Sequence, residues 1–151
     1  MTVTPPNAGS VSPPVRLLLV DAHERSRHNA RALLDAVPTV QVVGDTGNHR
    51  ETLDLAQSCA PDVVVIAMRV SGASGPEVTR DLLSLHPKLR VVFFTLFDSP
   101  EYVDAAVGAG AHGYVLKEAP TAELLATIDA VMRGQTMLRP DSGPSDPEVQ
   151  T

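Results

Sequence analysis

The sequence is poor in several features, and each shortage excludes a class of protein. Cysteine occurs once in 151 residues, as Cys59, so neither a disulfide framework nor a cysteine-based zinc site is available. No apolar run reaches the about 18 residues that a membrane-spanning helix needs. The first fourteen residues lack the basic and apolar regions of a signal peptide. We therefore predict a cytoplasmic protein without a membrane contact.

Basic charge is also scarce. Twelve Lys and Arg residues stand against eighteen Asp and Glu, which gives a net charge of -6 at pH 7. A protein that binds duplex nucleic acid needs a clustered basic surface to neutralise phosphates, and the sequence shows no such cluster. We expect no nucleic-acid binding by this domain alone.

The composition that remains is that of one soluble globular domain, with 43% hydrophobic and 20% charged residues. The length is sufficient to bury a core without a metal or a disulfide. Residues 1–14 and 139–151 are rich in Pro and Ser, so we predict disordered arms on both sides of a domain that covers residues 15–138.

Short, nearly continuous apolar runs alternate with segments of helical spacing. Continuous β-branched runs indicate strands that are covered on both faces, and hence a parallel sheet. The helices carry apolar stripes, such as Leu124, Ile128 and Val131, and the last one is followed by Gly134 as a C-terminal cap. The predicted strands are Val15–Val20, Val40–Val43, Asp62–Met68, Arg90–Thr95 and Gly113–Leu116.

This alternation gives five β-α units, which right-handed crossovers assemble into a doubly wound α/β sheet with helices on both faces. Ligand chemistry in such sheets lies at the carboxyl ends of the strands. Those ends hold Asp21, Ala67, Thr95 and Lys117.

The four positions and their surroundings resemble the receiver domain of bacterial response regulators, closest to the LuxR/NarL-type subgroup. The resemblance implies a flavodoxin-like, CheY-like fold with strand order 2-1-3-4-5, and it covers roughly residues 15–140. The matching segments are VRLLLVDAHERSR, VVGDTGN, PDVVVIAMRVSG, VVFFTLFD, AGAHGYVLK and the last helix with its glycine.

In that family a phosphoryl group is transferred to an aspartate after the third strand, and an acid pair after the first strand helps to hold Mg²⁺. Here Asp21 matches the first acid, whereas Ala22 stands in place of the second and Ala67 in place of the phosphoacceptor. Ser71 replaces the usual proline of the following loop. Alanine has no nucleophilic atom, so we expect a degenerate pseudo-receiver without a catalytic residue, with Mg²⁺ binding weak or absent.

Other parts of the family's machinery are retained. Thr95 matches the switch hydroxyl, Tyr114 the switch aromatic and Lys117 the phosphate-contacting lysine. Lys117 is expected either to pair with Asp21 or, with the helix N-termini, to make the pocket bind an anion. An engineered change would explain Ala67 alone, but natural degeneracy explains Ala67, Ala22 and Ser71 together.

The favoured function is a phosphorylation-independent signalling module that forms a homodimer or binds a protein partner. The resemblance places that contact on the fourth helix, fifth strand and fifth helix, with Tyr102 and Tyr114 as switch or interface residues. Alternatives are phosphorylation at Thr95 or Ser71, a small-molecule sensor that uses the degenerate pocket, and the receiver portion of a LuxR-type transcriptional regulator. Catalysis is disfavoured, because no glycine-rich phosphate loop follows Val20.

Overall fold

The computed structural model describes residues 13–138. The predicted disorder of residues 1–12 and of residues 139–151 lies outside the described residues and stays a prediction. Within residues 13–138, no helix is both long enough and apolar enough to cross a bilayer.

The central sheet consists of five parallel strands, β1 (Val15–Val20), β2 (Val40–Thr46), β3 (Val63–Ile66), β4 (Arg90–Thr95) and β5 (Gly113–Leu116). Their order in the sheet is β2-β1-β3-β4-β5, which confirms the predicted doubly wound fold. Three strands have the predicted bounds, whereas the second is longer at its carboxyl end and the third is shorter at both ends. A small antiparallel hairpin of Arg69–Val70 and Ala73–Ser74 follows β3.

Helices cover both faces of the sheet. On one face, α1 (Glu24–Asp35) and α5 (Thr121–Met132) pack on alternate residues of the strands. On the other face, α2 (His49–Cys59), α3 (Gly75–Leu85) and α4 (Pro100–Gly108) pack on the intervening residues.

The apolar runs are nearly continuous because successive residues of the central strands face the two layers alternately. In β1, Leu17 contributes to the layer under α1 and α5, and its neighbour Leu18 to the opposite layer. Both side chains have no exposed surface, which agrees with the prediction of a strand buried on both faces.

Some apolar residues of the helices do not belong to the core. Val107 on α4 and Met132 on α5 are 42% and 37% exposed. Leu33 and Leu85 are also exposed. All four lie at the margin of an apolar stripe, where helical spacing alone does not separate a buried position from a peripheral one.

The last helix ends as the sequence predicts. Gly134 has a left-handed φ of 87° and donates to the carbonyl of Val131, while Gln135 donates to that of Ala130. This pair of bonds is a Schellman motif, and a side chain at Gly134 would strain it.

The chain then turns back along the outer edge of β5. The amide of Met137 donates to the carbonyl of His112 (2.8 Å), and the amide of Tyr114 donates to the carbonyl of Met137 (2.9 Å). This parallel bridge partly pairs an edge that would otherwise present free backbone groups.

Candidate functional site

The carboxyl ends of four neighbouring strands meet at one edge of the sheet, where the sequence predicts a site. Asp21 follows β1, Ala67 follows β3, Thr95 ends β4 and Lys117 follows β5. The amide of Ala67 donates to the carbonyl of Val20 (2.9 Å), and that of Lys117 donates to the carbonyl of Thr95 (2.8 Å). Parallel pairing therefore brings the four positions together, and we call them the strand-end site.

An ion pair spans this edge. The Lys117 Nζ atom lies 2.6 Å from Asp21 Oδ2, and both side chains are largely shielded from water. The other oxygen, Asp21 Oδ1, accepts the backbone N–H of His23 at 2.8 Å. Of the two expected arrangements, pairing or anion binding, the structure shows the pair.

The donor set at this edge does not suit the Mg²⁺ that the family resemblance implies. Mg²⁺ needs several oxygen ligands in near-octahedral geometry, and carboxylates are the usual protein donors. Asp21 has both oxygens engaged, and Ala22 and Ala67 offer no side-chain oxygen. Within residues 13–138, no group of three or more His, Cys, Asp or Glu side chains is arranged to hold a metal ion.

Thr95 and Tyr114 are both tied to Phe97 in the loop between β4 and α4. The Thr95 Oγ1 atom accepts the amide of Phe97 at 3.1 Å, and the Tyr114 hydroxyl donates to the carbonyl of Phe97 at 2.5 Å. Tyr114 is 1% exposed and packs in the core, and its expected role as a switch or interface residue stays a prediction. Burial, with the nearby negative charge of Asp98, raises the pKa of Tyr114 to about 12.

Tyr102 is half-buried and packs on the same loop. Its ring stacks on Phe97 with 4.6 Å between centroids, and the guanidinium of Arg69 lies 5.6 Å from the Phe97 centroid. Sequence reasoning missed Phe97 and Arg69. The available signal for Phe97 was an aromatic residue between a strand and a helix N-cap, where polar residues are usual.

Ser71 makes a backbone contact that proline cannot make. Its N–H donates to the carbonyl of Gly47 at 2.7 Å, and its own carbonyl accepts the amide of His49 at 2.9 Å. Since proline has no N–H, a proline at this position could not form the first of these bonds. The loop after β3 is thereby joined to the loop after β2.

The sequence matches known signalling proteins. The family described as the response regulator receiver domain matches residues 17–129. The DNA-binding transcriptional activator DevR/DosR of Mycobacterium tuberculosis is 38% identical over 124 residues, which are 82% of this chain and 57% of that protein. The response regulator GacA of Pseudomonas viridiflava is 35% identical over 126 residues, which are 83% of this chain and 59% of that protein. The chain thus spans less than two thirds of the length of these relatives.

Solved structures agree with this match. A LuxR-family two-component response regulator from Aurantimonas sp. SI85-9A1 has a TM-score of 0.79 at 32% identity, covering 85% of this chain and 91% of that one. The signal receiver domain of the response regulator NarL from Mycobacterium tuberculosis has a TM-score of 0.76 at 27% identity, covering 82% of this chain and 100% of that one.

Proposed function

The chain belongs to the response-regulator receiver-domain family, and from that premise we propose that it is a receiver that acts without phosphorylation, as a protein-interaction module. The observation that carries the proposal is the state of the strand-end site. Its one carboxylate, that of Asp21, already accepts hydrogen bonds from the Lys117 ammonium and from the His23 amide. The residue that follows β3 is Ala67.

Phosphoryl transfer needs a nucleophile and a way to neutralise the developing charge. The methyl group of Ala67 provides no attacking atom. Thr95 is 2% exposed, its hydroxyl accepts the amide of Phe97, and within residues 13–138 no hydrogen bond joins that hydroxyl to a basic side chain or a carboxylate. The hydrogen bond from the Ser71 amide to the Gly47 carbonyl supports natural degeneracy over a single engineered change. The backbone at this position is adapted to a residue other than proline.

Incubation with acetyl phosphate and Mg²⁺ tests the first half of the proposal. We expect the intact mass of the natural chain to stay unchanged, because Ala67 cannot form an acyl phosphate. The matched control is the double variant A22D/A67D, which restores both missing carboxylates and is expected to gain one phosphoryl group. Circular dichroism establishes that the variant is folded. A phosphoryl adduct on the natural chain would contradict the proposal.

The interaction surface that we propose is formed by α4, the paired edge of β5 and the segment that follows α5. Val107 on α4 and Met137 beside β5 are apolar and 42% and 44% exposed. The β5 edge is already partly paired by Met137, so a partner would contact side chains here and not add a strand. A second copy of this chain is the partner that the proposal favours.

Sedimentation over a range of concentrations tests the second half. We expect the natural chain to dimerise and the variant V107D/M137D to weaken the dimer by at least about tenfold, because burying two unpaired carboxylates is unfavourable. L33D is the matched control, since Leu33 is 48% exposed but lies on α1, on the opposite face. A chain that stays monomeric at every concentration and captures no protein partner would be incompatible with an interaction module.

A second candidate is the receiver portion of a LuxR-type transcriptional regulator. It is favoured by the curated relatives, which carry the names of transcriptional regulators and of which the matched segment covers 57%. The length of the encoding reading frame distinguishes a free-standing receiver from a part of such a regulator.

A further inference from the structure

A cavity of about 430 Å³ opens beside the strand-end site, between the start of α3 and the loop that leads into α4. Its size lies within the range of pockets that bind small molecules. We call it the arginine cavity. It is lined by Met68, Arg69, Ser74, Pro76, Glu77, Arg80, Phe97, Tyr102 and Ala105.

One wall of the arginine cavity is apolar. Phe97 and Tyr102 supply a stacked pair of rings, and Met68 and Pro76 supply buried aliphatic surface beside it. Phe97 is held in place through its backbone by Thr95 and Tyr114. The wall is therefore preformed, and an apolar ligand body can bind without first ordering it.

The rim of the arginine cavity is cationic. Neither Arg69 nor Arg80 forms an ion pair within residues 13–138. Glu77 also lines the cavity, but its Oε1 atom accepts the amide of Ser74 in the capping box of α3. Two guanidinium groups against one engaged carboxylate leave a local positive charge in a chain whose net charge is -6.

The position of Arg69 suits anion binding. Its guanidinium carbon lies over the Phe97 ring, 5.6 Å from the ring centroid, which is within the range of a cation–π contact. A guanidinium carries its N–H groups in one plane and can form two parallel bonds to a carboxylate. A phosphate or sulfate ion could use these donors but would leave the apolar wall unused.

We propose that the arginine cavity binds a small organic acid with an apolar body, whose carboxylate is held by Arg69 and Arg80. The body lies against Phe97, Tyr102, Met68 and Pro76. This site is separate from the Asp21–Lys117 pair, and it does not depend on whether the chain can be phosphorylated.

Calorimetric titration with 2-naphthylacetate tests the inference on the whole chain. We expect saturable binding with a Kd below about 1 mM, a strength that a ligand of this size can reach. The neutral amide 2-naphthylacetamide keeps the body without the charge, and acetate keeps the charge without the body. Each is expected to bind at least about tenfold more weakly.

Two variants locate the binding. R69M and R80M retain side-chain length and remove the guanidinium, so each should raise the Kd for 2-naphthylacetate at least about fivefold. R25M is the matched control and should leave the Kd unchanged, since Arg25 is an exposed residue of α1 on the opposite face of the sheet. Circular dichroism confirms that each variant is folded. Absence of saturable binding, equal binding of acid and amide, or an unchanged Kd in both R69M and R80M would each overturn the inference.

Discussion

The variant K117M is expected to lose about 3–5 kcal/mol of its free energy of unfolding. Asp21 is 5% exposed, and its Oδ2 atom lies 2.6 Å from Lys117 Nζ. Without the ammonium group, the carboxylate stays buried with the His23 amide as its remaining donor. Urea denaturation followed by circular dichroism measures the loss, and an unchanged m-value shows that both states remain comparable.

Two further variants separate the ion pair from packing. D21N leaves the Lys117 ammonium without its partner, but a lysine can extend its flexible chain towards water, so a loss of about 1–2 kcal/mol is expected. The double variant D21N/K117M removes both charges and should recover most of the stability that K117M loses. If K117M unfolds at the same urea concentration as the natural chain, the Asp21–Lys117 ion pair is not formed in solution.

The fold could be predicted because its signal is distributed over many residues. The strands are nearly continuous apolar runs, and in β3 the run is unbroken and no residue has exposed surface. Such a run predicts a strand that is buried on both faces. The margins are less predictable, because Leu33 and Leu85 have the spacing of buried residues but lie at the edge of their helical stripes.

The site could be predicted in part. The carboxyl ends of parallel strands meet at one edge of the sheet, which locates Asp21, Thr95 and Lys117 there. Opposite charges that share a buried edge are expected to pair, as Asp21 and Lys117 do. Loop contacts were not predictable from sequence, because they depend on tertiary positions. The ring of Phe97 and the side chain of His23, whose Nδ1 atom caps α1 by accepting the amide of Ser26, are examples.

Gly75 illustrates a requirement that sequence patterns do not show. It begins α3, is buried, and donates its amide to the carbonyl of Met68 at 2.7 Å. A Cβ atom there would collide with the carbonyl oxygen of Ala67 and lie 2.9 Å from Cε2 of Phe93. The first obstacle is backbone at the end of β3, and the second belongs to a side chain with no exposed surface, so neither can move aside easily.

The variant G75A is therefore expected to lose about 3 kcal/mol of its free energy of unfolding, because the added methyl group must displace backbone at the strand-end site. G108A is the matched control. Gly108 is the last residue of α4, and a Cβ atom there meets nothing within 4 Å. Alanine has a higher helix propensity than glycine, so the free energy of unfolding of G108A should be unchanged or up to about 1 kcal/mol higher. Urea denaturation of both variants checks the contrast. Equal effects would show that helix propensity, and not the close approach of α3 to Ala67, determines the result.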